Sequence, residues 1–294
     1  MKRGSLLAPY LYLGPVILLG AIFVYWPLLY TFYLATVKWN LVATSRPFVG
    51  LDNFVGVYDS SLFADAARNT FIYIFGSIPL KVFLPLAVAV FIWMCTPRTA
   101  NLYKTVIFLP VLASFAAVAV IWLWLLNPIG GYFSIVLRKL DLSMPNLLYD
   151  THYALATVLG VSAWKILGFN TLLYLAGLTG INRGYAEAMR IDGANDRQIF
   201  RYLVWPLLTP TTMFVLITTV IFSVQQVFTP IDMMTKGGPS NATTNLFYMV
   251  YQMAFQNLNI GYGAAATVVL FVLLMTITVA KLKLLDRFVK YEDR

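Results

Sequence analysis

Long hydrophobic runs separated by short polar segments dominate this sequence. After Lys2 and Arg3, no charged residue occurs between Gly4 and Val37, a run longer than the roughly 20 helical residues that cross a bilayer. The run is too long for a cleaved signal peptide and lacks a small-x-small exit, so it predicts a retained first helix. The same pattern predicts six spans, at residues 9–37, 69–94, 103–126, 153–178, 206–229 and 263–285.

These spans predict an all-α polytopic membrane protein with a single domain over residues 1–294. The chain is 60% hydrophobic and 11% charged, which is far more apolar than a soluble domain. Its net charge is +9, but the basic residues are spread over the segments between spans, so nucleic-acid binding is not expected. Cys95 and His152 have no companions at metal-ligand spacing, so no metal site is predicted.

The positions of the basic residues predict the orientation of the chain. Of the 21 Lys and Arg residues, 13 fall in inner segments if the N-terminus is cytoplasmic, six fall in outer segments, and Lys81 and Lys165 fall inside spans. Cytoplasmic segments of membrane proteins carry the excess of Lys and Arg. Both termini are therefore predicted to be cytoplasmic.

A charged island interrupts the hydrophobic pattern at residues 180–205. Its first half can be helical up to Asp192, and Gly193 can take the left-handed conformation that ends a helix. Asn195 or Asp196 can then cap a second helix by accepting its free backbone N–H groups. The island therefore predicts a helix, a sharp turn and a second helix.

The second helix of the island has an amphipathic pattern. Ile199, Tyr202 and Leu203 form an apolar stripe. Pro206 is expected to interrupt the backbone ladder after this stripe. A helix of this kind is predicted to lie across a surface.

At this island the sequence resembles the cytoplasmic coupling loop of permease subunits in binding-protein-dependent ABC importers of the carbohydrate and glycerol-3-phosphate group. The residues that carry the resemblance are Glu187, Ala188, Asp192, Gly193 and Ala194, followed by Pro206 and Pro210.

The resemblance extends over nearly the whole chain. It continues in residues 48–54, in Trp164-Lys165 and in residues 235–239. There are two departures: Met189 stands where the group has a second alanine, and Trp205 stands where it has an aliphatic residue. These departures suggest a specialised fit to the partner of the loop.

The resemblance implies a type I ABC importer permease fold and a place in the bacterial or archaeal inner membrane. It implies that a second, homologous permease subunit completes the translocation pathway. The other implied partners are two cytoplasmic ATPase subunits and a periplasmic or lipid-anchored solute-binding protein. The implied substrate is a sugar, a related polyol or a sugar phosphate. The chain itself would need no cofactor, since ATP would be bound by the ATPases that contact the loop.

Two lysines lie inside predicted spans, where a charge costs about 2.5–3.5 kcal/mol on insertion scales. Lys81 stands between Pro79 and Pro85. Ser162, Lys165 and Phe169 recur at i, i+3 and i+7, and Asn170 lies beside them.

The fifth span has a related pattern, with Ser223 and Gln226 at i and i+3. Hydroxyls, amides and rings suit a polyol substrate, which needs hydrogen bonds at its edges and apolar contact on its faces. The resemblance places a sugar-lining face on the fourth and fifth spans. The alternative is that these polar groups bond helix to helix. Both interpretations remain open at this stage.

Other functional classes fit the sequence less well. No G-x-x-x-x-G-K-[ST] motif occurs, so the chain has no phosphate-binding loop of its own. No paired carboxylates or Cys–His pair stand in a setting suited to catalysis, so an enzyme is not expected. The alternative is an ion-coupled secondary transporter, which would need titratable residues in the membrane. None of the six spans contains Asp or Glu.

Overall fold

The computed structural model describes the backbone of residues 8–288 and the side chains of residues 12–182 and 184–280. Two compact units divide the chain. Unit 1 comprises Met1–Phe63 and Met249–Leu273, and unit 2 comprises Ala64–Tyr248 and Leu274–Arg294. The single domain expected from the sequence stays a prediction. Several cations used to predict the orientation of the termini have side chains outside the described set: Lys2, Arg3, Arg183, Lys281, Lys283, Arg287, Lys290 and Arg294.

The described chain is built of helices and short π-helical turns. The α-helices are α1 (Ala8–Gly20), α2 (Trp26–Leu34), α3 (Asp52–Tyr58), α4 (Ser61–Ile78), α5 (Leu84–Met94), α6 (Pro97–Leu112), α7 (Phe115–Leu125), α8 (Tyr132–Arg138), α9 (Ala154–Thr179), α10 (Arg183–Ile191), α11 (Asp196–Ile199), α12 (Trp205–Gln225), α13 (Phe228–Pro230), α14 (Leu246–Tyr251) and α15 (Ile260–Phe288). The π-helical turns are Ala21–Tyr25, Pro79–Phe83, Phe200–Val204, Ile231–Thr235 and Gln252–Gln256.

Several of these helices can cross a membrane. Among the described residues, five are long and apolar enough: Tyr12–Leu34, Ser61–Met94, Ala154–Thr179, Asp196–Thr235 and Ile260–Ala280. The helices α6 and α7 form a sixth span if the pair, which is bent by 97°, is counted as one. The predicted all-α membrane fold is therefore confirmed.

The bend between α6 and α7 has a local cause. Ala113 and Ser114 both adopt extended backbone conformations. The Ser114 hydroxyl then accepts a hydrogen bond from the backbone N–H of Ala117 at 3.1 Å, which caps α7. The hydrophobic pattern indicates one span here because composition does not register a cap inside an apolar run.

The second helix of the charged island does not end at Pro206 as the sequence predicts. It runs from Asp196 through the turn Phe200–Val204 into α12. Trp205 donates its backbone N–H to the Phe200 carbonyl, one residue beyond the α-helical partner. Pro206 stands in the first turn of α12, where its missing N–H is tolerated.

Unit 1 is held together by a buried amide. The Asn53 side chain donates hydrogen bonds to the carbonyls of Ala35 and Val37, both at 2.9 Å. Gly261 packs against the same place, and a Cβ there would lie 2.5 Å from the Val37 carbonyl oxygen. These contacts fix the start of α15 against the segment that follows α2.

Unit 2 is organised around α9, which packs against α5, α6 and α12. Gly168 allows the backbone of α9 to lie directly against the backbone of α6. A Cβ at Gly168 would clash with the backbone carbonyl oxygen of Ile107 and would lie 2.9 Å from the Cα of Phe108. Small residues serve this purpose in membrane proteins because they let two helix backbones meet.

We expect Gly168→Ala to destabilise unit 2 by about 1–3 kcal/mol, because the added methyl group meets backbone that cannot rotate away. The measurement is the thermal unfolding midpoint of the detergent-solubilised protein. Gly160→Ala on the same helix is the matched control, since nothing lies within 4 Å of a Cβ at that position. Equal midpoints for the two variants would contradict the close contact of α6 with α9.

Candidate functional site

The charged island folds into two short helices around a tight turn. The helix α10 ends at Ile191, and Gly193 follows with φ = +86°. Gly193 thus takes the left-handed conformation that the sequence predicts, and this prediction is confirmed. The cap of α11 is Asn195: its side chain accepts the backbone N–H of Gln198 at 2.9 Å, and the Gln198 side chain accepts the backbone N–H of Asn195 at 2.8 Å. This is a complete capping box.

One ion pair bridges the turn. Arg190 donates to Asp196 at 3.0 Å, and the two side chains are 61% and 70% exposed. An ion pair as exposed as this one contributes about 0–1 kcal/mol. The backbone conformation of Gly193 and the capping box therefore set the turn, and the ion pair adds little.

The loop has an inner, buried face. Ala186 and Ile199 are buried, and Met189 and Leu203 are partly buried beside them. This apolar cluster includes residues of α5, α9 and the turn between α4 and α5, namely Val82, Leu86, Ala89, Ile92, Tyr174, Leu175 and Leu178. Met189 fills space at the edge of this cluster. Both short helices of the loop, α10 and α11, are therefore packed against α5 and α9.

The opposite face of the loop is open. Tyr185 is 60% exposed and Ile191 is 87% exposed. Among the residues predicted to form the coupling site, Ala194 is partly buried and the other four are exposed: Glu187, Ala188, Asp192 and Gly193. Tyr202, which the sequence places in the apolar stripe, is 66% exposed. That placement is wrong, because the π-helical turn changes the angular spacing of this stretch.

A groove of about 260 Å³ runs beside the open face. It is lined by the inner end of α5, through Trp93 and Met94, and by Ala186, Glu187 and Arg190 of α10. The loop therefore offers both protruding apolar side chains and a concave polar edge to a partner.

Lys81 lies in the middle of unit 2 and is only 2% exposed. Its ammonium group donates to the Ser162 hydroxyl at 2.7 Å. The side chain of Asn170 donates to the Lys81 backbone carbonyl at 2.5 Å. Ser162 and Asn170, which the sequence suggested for the substrate pathway, are 0% and 3% exposed. The structure thus brings both of them to Lys81.

Lys165 lies at the bend between α6 and α7. Its ammonium group donates to the Val111 carbonyl at 3.2 Å and stands 4.6 Å from the centroid of the Phe115 ring. Val111 belongs to the last turn of α6, whose carbonyls have no later N–H in their own helix. Sequence reasoning missed Val111 and Phe115, although Pro110 and Ser114 were a local signal of a break.

Among the described hydrogen bonds, none joins the remaining predicted pathway residues to Lys81 or Lys165. Phe169 is 42% exposed. Ser223 is buried and donates to the Val220 carbonyl of its own helix at 2.9 Å. Gln226 is half-buried, and its buried side-chain oxygen has no hydrogen-bond donor among the described residues. Within residues 8–288 no group of three His, Cys, Asp or Glu side chains could hold a metal ion.

Comparison with known proteins agrees with this architecture. A family model described as "Binding-protein-dependent transport system inner membrane component" matches residues 54–291. The chain is 32% identical over 286 residues to the sn-glycerol-3-phosphate transport system permease protein UgpA of Agrobacterium fabrum. It is 33% identical over 285 residues to UgpA of Yersinia pseudotuberculosis. Each alignment covers 96% of both chains.

Solved structures show the same fold. A chain of a bacterial ABC transporter involved in the import of the acidic polysaccharide alginate matches with a TM-score of 0.85 and 23% identity, over 96% of both chains. The predicted ABC importer permease fold is therefore confirmed. The chain belongs to the family of inner membrane components of binding-protein-dependent transport systems, and it is an integral membrane permease and not an enzyme.

Proposed function

We propose that this chain forms half of the translocation pathway of an ATP-driven importer, with a second, homologous permease subunit as the other half. Two cytoplasmic ATPase subunits bind and hydrolyse ATP, and the chain needs no cofactor of its own. The observation that carries this proposal is the two-faced loop at residues 180–205. Its inner face is built into the membrane helices, and its outer face exposes Tyr185 and Ile191. Exposed apolar side chains grouped on one face are typical of an interaction site.

The proposed substrate is a sugar, a related polyol or a sugar phosphate, delivered by a periplasmic or lipid-anchored solute-binding protein. Two observations support this class. The two UgpA relatives are named as permeases for sn-glycerol 3-phosphate. A solved relative of the same fold is an alginate ABC transporter in complex with an alginate pentasaccharide-bound periplasmic protein.

We place both termini and the coupling loop in the cytoplasm of a bacterial or archaeal cell. The excess of Lys and Arg in the inner segments supports this orientation. It also puts the open face of α10 where a cytoplasmic ATPase can reach it.

In this proposal, ATP binding draws the two ATPases together and pulls on the open face of the loop. Because Ala186 and Ile199 share one apolar cluster with α5 and α9, a displacement of the loop also displaces the inner ends of these helices. A well-packed cluster transmits such a shift because it resists compression. The membrane site then changes its exposure from one side to the other.

Lys165 and Phe169 are the best-supported pathway residues of the predicted set. Lys165 stands at a break between two half-helices, the kind of place where transporters hold their substrates. The exposed ring of Phe169 lies one turn further along α9 and offers an apolar face to a sugar. Ser223 and Gln226 on α12 stay candidates for the same pathway.

An ion-coupled secondary transporter remains the alternative function. It would need a titratable carboxylate in the membrane. No Asp or Glu occurs in the predicted spans, and the two lysines far from the ends of the spans, Lys81 and Lys165, are both engaged with protein oxygens. The observations therefore favour coupling to ATPases.

The first test concerns the loop. We expect Gly193→Val to insert normally but to lose ATPase subunits on co-purification, together with substrate-stimulated ATP hydrolysis. A branched side chain at φ = +86° is strained by about 1–2 kcal/mol, which opens the turn. Glu187→Lys should also weaken attachment, because it reverses a charge on the open face.

The matched control for the loop test is Gly130→Val. A Cβ added at Gly130 would also have nothing within 4 Å, but the backbone there is not left-handed. Full attachment and full stimulation in both loop variants would show that the loop is only a connector.

The second test concerns the pathway. We expect Lys165→Met to insert at least as well as the parent chain, since it removes a charge that costs about 2.5–3.5 kcal/mol in a membrane. Uptake into proteoliposomes should fall at least about tenfold, the loss expected for one charge-assisted hydrogen bond. A panel of sugars and sugar phosphates provides the measurement.

The exposed Lys139→Met is the control for the pathway test. Unchanged uptake in Lys165→Met, together with lipid-facing labelling of Phe169→Cys and Gln226→Cys, would remove these residues from the pathway.

A further inference from the structure

The π-helical turn Pro79–Phe83 joins α4 to α5 and interrupts the regular hydrogen bonding of the second span. A side chain of a neighbouring helix replaces one of the missing hydrogen bonds. In a regular helix the Lys81 carbonyl would accept the N–H of residue 85, but residue 85 is proline and has no N–H. The Asn170 side chain donates to that carbonyl instead. An amide from a neighbouring helix therefore replaces the hydrogen bond that Pro85 removes.

The side chain of Lys81 makes a second connection to the same neighbour. Its ammonium group reaches Ser162, which lies eight residues before Asn170 on α9. Eight residues of helix span about 12 Å. Two hydrogen bonds from one residue to positions about two turns apart on α9 fix both the height of the π-helical turn along α9 and its rotation about that helix.

The cytoplasmic end of this assembly is fixed by apolar packing. Val82, next to Lys81, belongs to the cluster that contains Tyr174 of α9 and Ala186 and Ile199 of the coupling loop. The two hydrogen bonds hold α5 to α9 near the middle of the span, and the cluster holds them at the inner end. If the loop is displaced, α5 and α9 are therefore joined both at their inner ends and near the middle of the span.

We propose that Lys81 is a positioning residue of the transport cycle, which pins the break between α4 and α5 to α9 so that α5 and α9 move as one body with the coupling loop. This inference rests on the proposed function. It separates Ser162 and Asn170 from substrate contact, because their polar groups are committed to Lys81. A methionine at position 81 would fill similar space and keep the backbone carbonyl for Asn170, so the hydrogen bond to Ser162 is what accounts for a lysine here.

The first experiment measures the position of α5 against α9 directly. In the full complex with Cys95→Ser, spin labels at Thr96→Cys, just past the end of α5, and at Thr179→Cys report the distance between the inner ends of the two helices. Both positions are exposed. The distance is measured in the nucleotide-free complex and in the complex trapped with ATP and vanadate, so no transported substrate is needed.

We expect one narrow distance distribution, the same in both states, for the chain with Lys81. Lys81→Met should broaden or shift that distribution in at least one state, and Lys139→Met, which removes an exposed lysine, should not. A folded, assembled Lys81→Met complex with an unchanged distribution in both states would overturn the proposal.

The second experiment measures coupling, with sn-glycerol 3-phosphate and maltose as probes. Lys81→Met should lower the ratio of substrate-stimulated to basal ATP hydrolysis by between about two- and thirtyfold, the range of energetic couplings measured within proteins. The ratio should fall alike for every probe that stimulates, because the bonds do not contact substrate. A change in KM for one probe alone, with unchanged coupling, would overturn the proposal and return these residues to the pathway.

Double variants test which bond acts. Ser162→Ala added to Lys81→Met should have no further effect, since both remove the same hydrogen bond. Asn170→Leu should add to either variant, because its partner is the backbone carbonyl of residue 81. Additive effects of Ser162→Ala and Lys81→Met would contradict the proposal that Lys81 acts through its hydrogen bond to Ser162. Failure of the parent complex to bind ATPases at all would instead count against the proposed function.

Discussion

The structure depends on one constraint: inside a bilayer, every backbone carbonyl and N–H must find its partner within the protein. Regular helices meet this constraint by themselves. Unit 2 contains helices that are not regular, with π-helical turns at Pro79–Phe83 and Phe200–Val204 and a bend at Ala113–Ser114. Each irregularity sets free groups that some other part of the chain must satisfy.

The helix α9 supplies hydrogen-bond partners for two of these irregularities. Its Asn170 bonds the carbonyl left free by Pro85, and its Lys165 bonds the last turn of α6. The cost of two lysines in an apolar interior is thus offset by bonds that a purely apolar helix could not make. This explains why α9 carries more buried polar residues than its neighbours and still lies at the centre of unit 2.

The same arrangement connects the loop at residues 180–205 to the membrane-spanning helices. A left-handed glycine and a capping box set the conformation of the loop, and the burial of Ala186 and Ile199 with residues of α5 and α9 attaches it. Its outer face is open. A structured loop with one packed face and one open face can pass on a displacement, whereas an unstructured linker would absorb it.

Much of this protein could be read from its sequence, because hydrophobic runs and local turn chemistry are properties of neighbouring residues. The spans, the turn at Gly193 and the family resemblance are of this kind. The sequence could not tell that Ser162 and Asn170 meet Lys81, about 80 to 90 residues away along the chain. It also did not tell that Lys165 reaches the bend of another helix or that Tyr202 turns outward. Those outcomes depend on which helix faces which and on register shifts at π-helical turns, and only the packed tertiary structure decides them.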